Sequence, residues 1–202
     1  TSGVLTMDNP VTSLRKLATE IGVNDIASIV LDDPRFAIWS ASSFHYQHHY
    51  GTGQLAQHTF EVVSLCLINR RTLGMIGLGI DGLNKMPTEA TTFLAALHHD
   101  IGKLDDYTEV APGNWAGTPH KRLVHHVSRS AIIWSRAVDR FPAYRDIEEG
   151  VLHAILAHHG TRQWGSPVAP KSRLAWLLHL CDQMSARLND ADTLDVVKHY
   201  GA

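Results

Sequence analysis

The stretch Leu97-His98-His99-Asp100-Ile101-Gly102-Lys103 decides how this chain is read. It closes an apolar segment of helical period that opens at Pro87-Thr88, with Thr88 placed as N-cap, and it halts at Gly102. A histidine followed directly by an aspartate where a helix runs out can offer an imidazole nitrogen and a carboxylate oxygen to one metal ion. The same residue types recur at a distance: His58 upstream, then His125-His126, His158-His159 and Asp182 downstream, each within a segment of helical apolar spacing.

Working outward, nearly every apolar pattern has the helical period. Leu14, Leu17, Ala18 and Ile21 form a stripe closed by Gly22, and Ile26, Ile29 and Val30 form another closed by Asp33-Pro34. Further helices are expected over 54–69, 122–139, 146–158, 171–188 and 192–200. Residues 36–53 look irregular, and 104–120, rich in Asp, Gly, Pro and Thr, read as an active-site loop. With no sustained alternation, the expected fold is all-α, a helical bundle with the metal site between core helices. Residues 1–35 read as an N-terminal helical extension, of which 1–6, ahead of Met7, resemble an expression scar; residues 36–202 read as the metal-binding domain.

Composition narrows the function. The 202 residues carry a net charge of -2 with histidines neutral, so no global basic field draws in a long polyanion. Fourteen histidines, clustered, point to metal or proton chemistry. Cys66 and Cys181 stand far apart, outside any C-x-x-C pattern, which argues against a disulfide framework and fits a reducing cytoplasm. The most apolar stretch, Leu73 to Leu83, is short and holds Asp81 and four glycines, so no membrane span is expected.

Any single histidine is more commonly a packed, hydrogen-bonded residue than a ligand. Jointly, His58, His99, Asp100 and Asp182 supply two imidazoles and two carboxylates, a mixed set suited to Mn, Fe, Co, Ni or Zn. Asp100 has a second oxygen for a second ion, held by His126 and by His158 or His159. One to two divalent ions are expected, and a pair about 3.5 to 4 Å apart can clamp the attacking and leaving oxygens of a phosphoryl displacement. His126 and His158 are the favoured members of their doublets, with His159 near enough to touch substrate or the second ion. His179, three residues before Asp182, either orients it or simply packs. Lys103 stands past the helix end where a phosphate oxygen would lie. Arg129 and Arg162 follow His126 and His158 by three and four positions and can share their faces. Phe44 to Tyr50, containing His49, reads either as a wall for base stacking or as a loop covering the site.

The layout of His, His-Asp and Asp on separate helices resembles the HD superfamily of metal-dependent phosphohydrolases, and the added downstream histidines look like its two-metal branch. The words HHYGTGQLAQHT (48–59), LHHDIGK (97–103), AHHG (157–160), WGSPVAPK (164–171) and LLHLCDQMSARL (177–188) resemble in particular the HD domain of YhaM-type 3'-5' exoribonucleases. The resemblance implies an all-α HD fold and phosphodiester hydrolysis, with His58, His99, Asp100, His126, His158 and Asp182 as metal ligands and His98 left to the core. On this reading Asp100, Lys103 and His159 carry catalysis, while Lys103, Arg129, Arg162 and His49 meet a nucleotide or short single-stranded RNA or DNA. Residues 1–35 are too short and too little strand-like for the OB-type domain usual in that family. Other outcomes compatible with the motifs are an HD nucleotidase, a cyclic-dinucleotide phosphodiesterase, the HD domain of a conjugative relaxase, a di-iron oxygenase and a non-catalytic nucleotide sensor. A homo-oligomer is compatible with all of them.

Overall fold

A computed structural model describes residues 9–44, 48–78 and 86–193. In chain order the helices are α1 (Pro10–Ile21), α2 (Asn24–Leu31), α3 (Gln54–Met75), α4 (Glu89–His98), α5 (Lys103–Asp106), α6 (Pro119–Leu123), α7 (His126–Arg140), α8 (Glu148–Ala157) and α9 (Arg173–Thr193). Between α5 and α6 lies a hairpin of strands β1 (Tyr107–Ala111) and β2 (Asn114–Gly117). The all-α expectation holds, with this hairpin as its exception. Among the described residues no helix is long and apolar enough to cross a membrane.

Helix α4 is the axis of the bundle. Thr88 caps it as the sequence predicts, its Oγ1 accepting the Thr91 N–H at 3.1 Å. Every residue from Thr91 to His98 is buried. A helix apolar all round needs neighbours on all sides, and α3, α7, α8 and α9 supply them, as do α1 and α2. Phe93, Leu94 and Leu97 interlock there with Leu55, Val62, Trp134, Ile155 and Leu178. The N-terminal segment adds Leu14, Ala18, Ile26 and Val30 to the same core. Gly22, in the left-handed conformation at φ 82°, ends α1.

The structure corrects several local expectations. The segment read as a loop over 104–120 folds as α5 and the antiparallel hairpin, with Tyr107 opposite Gly117 and Glu109 opposite Trp115. Its strands are too short to show an alternating pattern. What orders them is tertiary contact: the Trp115 ring packs edge-on against Trp39 at 5.0 Å, and the Trp115 backbone N–H donates to the Tyr50 hydroxyl at 3.2 Å. The helix expected over 122–139 is broken, α6 ending at Leu123 and α7 starting at His126, because His125 takes φ +69° and the His126 N–H donates to the Asp106 carboxylate. Helix α3 also continues past Asn69 to Met75. Of the helix expected over 192–200, residues 192–193 end α9 and the rest lie outside the described residues.

Candidate metal centre

Five elements converge beyond the C-terminal end of α4. His58 comes from α3, His99 and Asp100 from the turn after α4, His126 from the first residue of α7, His158 and His159 from the end of α8, and Asp182 from α9. Each imidazole is anchored through Nδ1. His58 Nδ1 meets Ser185 Oγ at 3.0 Å, while His99 and His158 Nδ1 donate to the Ala96 and Ile155 carbonyls, both at 2.7 Å. His126 Nδ1 donates to Asp106 Oδ2 at 2.9 Å, and His159 Nδ1 to the Trp164 carbonyl. These partners set the tautomer, so the Nε2 lone pairs point inward. They crowd together there: His58 and His99 Nε2 are 3.3 Å apart, His126 and His159 Nε2 3.2 Å.

Asp100 stands between two donor sets. Its Oδ2 lies 3.3 and 3.4 Å from His58 and His99 Nε2, and its Oδ1 lies 3.6 and 3.5 Å from His126 and His158 Nε2. Asp182 Oδ1 closes the first set, 3.1 Å from His58 Nε2. His58, His99, Asp100 and Asp182 form one group able to hold an ion; Asp100, His126, His158 and His159 form a second. The fit to cations is shown by what lacks a partner. Among the described residues, the buried Asp100 Oδ1 and His158 Nε2 have no hydrogen bond and face each other as two acceptors. That arrangement is costly unless a positive centre lies between them.

The electrostatics agree. Burial opposes charge on His99, yet the carboxylates of Asp100 and Asp182 outweigh it and its pKa is pushed up to about 10, so the first set favours a cation. Burial holds His126 near 4 and His159 near 2, leaving both neutral and able to ligate. Lys103, buried, places Nζ 2.6 Å from Asp100 Oδ2, and that carboxylate overcomes the burial penalty to raise its pKa. Gly102 is the residue that lets α7 approach. A Cβ there would meet the His126 carbonyl and come within 2.9 Å of Arg129 Cβ.

Sequence reasoning missed the residues behind these imidazoles. Asp106, its side chain wholly buried, accepts from the His126 N–H at 3.0 Å, from His126 Nδ1 and from His120 Nδ1 at 2.7 Å. Ser185 links His58 to Glu61 Oε2 at 2.7 Å. Burial would raise Glu61, but hydrogen bonds from His49, Gln57 and Ser185 bring its pKa down to about 2. Two signals were available: Glu61 follows His58, and Ser185 follows Asp182, by three positions on one helix face. Asp106 carried none.

Around these groups opens a cavity of about 520 Å³ reached by Asp100, Lys103, His126, His159 and Asp182. Its other cations are Lys121 and Arg187, neither singled out from sequence. Of the expected substrate residues, Lys103 lines it and three are placed elsewhere. Arg129 is bound to Asp105 at 2.9 Å and His120 at 3.1 Å. Arg162 is exposed on the short turn Arg162–Trp164. His49 is buried behind His58, 2.9 Å from Glu61, and His48 takes the cavity wall. His179 does not orient Asp182; its Nδ1 donates to the His158 carbonyl at 2.7 Å, fixing the turn that presents His158. His98 packs in the core against Trp134.

Fold and site together define the class. The profile of the HD domain matches residues 55–187, and the chain belongs to that family. Among curated proteins it is similar to the 3'-5' exoribonuclease YhaM of Bacillus subtilis (strain 168), 31% identical over 102 residues, half of this chain and 31% of that protein. The YhaM of Listeria monocytogenes serotype 4b (strain F2365) is 35% identical over 109 residues, 53% of this chain and 33% of the relative. These matches therefore span about a third of the relatives' own length. No solved structure matches the chain significantly.

Proposed function

We propose that this chain is a metal-dependent phosphohydrolase that cleaves phosphodiester bonds of short single-stranded nucleic acid, in the manner of a 3'-5' exoribonuclease. The observation that supports it most is Asp100, whose two oxygens face two separate imidazole sets beside a buried lysine. In this reading His58, His99, Asp100 and Asp182 hold one ion of Mn, Fe, Co, Ni or Zn, and Asp100, His126 and His158 hold a second, with His159 completing that set. Such ions supply Lewis-acid polarisation of a phosphoryl oxygen and acidify water at neutral pH.

The chain's own residues do the rest. Lys103 stays protonated, offsets the charge of Asp100 and can stabilise charge that develops on a phosphoryl oxygen. Lys121 and Arg187 meet substrate phosphates at the cavity wall. Asp106 and the Ser185–Glu61 pair hold His126 and His58 in ligating tautomers. We read 36–202 as the catalytic domain and 1–35 as an N-terminal extension, whose helices α1 and α2 pack on its core.

The test is a screen of mononucleotides, dinucleotides, cyclic dinucleotides and 3'-tailed RNA and DNA, after chelation and reloading with Mn, Fe, Co or Zn. A ladder of mononucleotides from RNA is the expected result. Phosphate release from mononucleotides alone would make it a nucleotidase. Turnover of no phosphoester, with oxygen consumed by the iron-loaded protein, would overturn the assignment in favour of an oxygenase.

A further inference from the structure

A second recess of about 550 Å³ adjoins the metal cavity, and Lys121 belongs to both. Lys121 is held over aromatic faces, its Nζ 4.6 Å from the Tyr107 ring centre and 5.6 Å from that of Phe44, and it donates to Ser43 Oγ at 3.3 Å. Among the described residues it has no carboxylate partner. Its charge is therefore open to an anion passing from one recess to the other. Phe44, 47% exposed, lines the second recess, as does Arg122.

Two residues of its walls each carry a buried polar atom without a hydrogen bond among the described residues. Trp115 is 3% exposed, and among the described residues nothing accepts its Nε1–H. His125 Nδ1 is likewise buried and without a partner there. His125 also takes a backbone conformation that side-chain-bearing residues rarely adopt, φ +69°. The kink divides the doublet: His126 joins the set around Asp100, while His125 lines the recess with its ring still within reach of Asp106 and His126. An exposed aromatic face, two cations and unpartnered hydrogen-bonding groups match a nucleobase and its phosphate better than an apolar peptide.

We propose that this recess is a second nucleotide subsite: the metal cavity takes the terminal nucleotide, Lys121 the phosphate at the junction, and the recess the next base, stacked on Phe44 and hydrogen-bonded by Trp115. The preferred ligand is then a single strand of two or more nucleotides. This rests on the hydrolase reading for what happens in the metal cavity, whereas its own content is a dependence of affinity on length.

Fluorescence anisotropy with 5'-fluorescein phosphorothioate trimers of RNA and DNA, against the labelled mononucleotide, tests it without turnover. One or both trimers bind the wild-type protein about tenfold or more tighter than the mononucleotide, the gain expected from an extra stacked base. Phe44→Ala and Trp115→Phe each reduce that ratio severalfold, the second keeping an aromatic ring while removing the N–H. Equal affinities for trimer and mononucleotide in the wild-type protein overturn the subsite, and that comparison needs no variant to fold. Tight length-dependent binding with no turnover under any metal refutes the hydrolase reading and leaves the subsite standing. Turnover with length-independent affinity does the reverse.

Discussion

Asp106→Asn changes one atom of the site and tests how the second ion set is built. In the wild-type protein, Asp106 accepts three hydrogen bonds, two from His126 and one from His120. Burial alone would raise its pKa, but the His126 hydrogen bonds outweigh that and keep it below the usual carboxylate range, so it is ionised at neutral pH. An asparagine has one accepting oxygen. Turned toward His126, it satisfies both donors there and sets its NH2 against His120 Nδ1–H, where the contact is 2.7 Å. His120 cannot answer by changing tautomer, because its Nε2 already accepts from Arg129. Turned the other way, the amide meets two donors instead of one. The better orientation still leaves a buried donor unpaired, which costs about 1–3 kcal/mol of stability. It also removes the negative charge behind His126, and loss of such an outer partner typically weakens metal affinity by about 10–100-fold. Chelator competition measures the affinity, and urea unfolding of the metal-free protein measures the stability. Unchanged values in both would refute the role assigned to Asp106.

Three further outcomes follow from the same geometry. Gly102→Ala forces a Cβ into the His126 carbonyl and Arg129 Cβ, so the metal-free protein loses about 1–3 kcal/mol by denaturant titration and loses activity through displacement of His126; wild-type stability would show that α7 can retreat freely. Glu61 has a folded pKa of about 2 against an ordinary 4.5, so the unfolded chain takes up a proton that the folded one refuses, and stability falls as pH drops through that window. Glu61→Gln should flatten this acid limb in urea midpoints measured on the metal-free protein, and an unaltered limb would count against the depressed pKa. Asp100→Asn weakens both ion sets while His126→Ala spares the first, so elemental analysis should find metal nearly gone in one variant and only partly reduced in the other; full metal content in His126→Ala would remove that residue from the ligands.

How much of this was legible in the sequence depends on the distance over which each feature is decided. The helical period of the apolar residues, the Thr88 cap and the stop at Gly22 are local properties, and α1, α2, α3 and α4 follow them closely. The residue types that gather at the end of α4 were also readable, because His-Asp and the later histidines are an uncommon donor set whatever the fold. Their partners were not. Asp106 reaches His126 across 20 positions and Ser185 reaches His58 across 127, and no periodicity records such pairings. Helical spacing placed Arg129 beside His126 and left His179 open between orienting Asp182 and packing, yet Asp105 claims the first and the His158 carbonyl the second, since a long side chain goes to the nearest complementary charge or acceptor. The break at His125 is likewise tertiary: helix propensity runs through it, and the Asp106 carboxylate, by taking the His126 N–H, outweighs that propensity. Local chemistry thus determined the helices and the candidate donor types, whereas packing between distant segments decided which side chains face the cavity and which are held elsewhere.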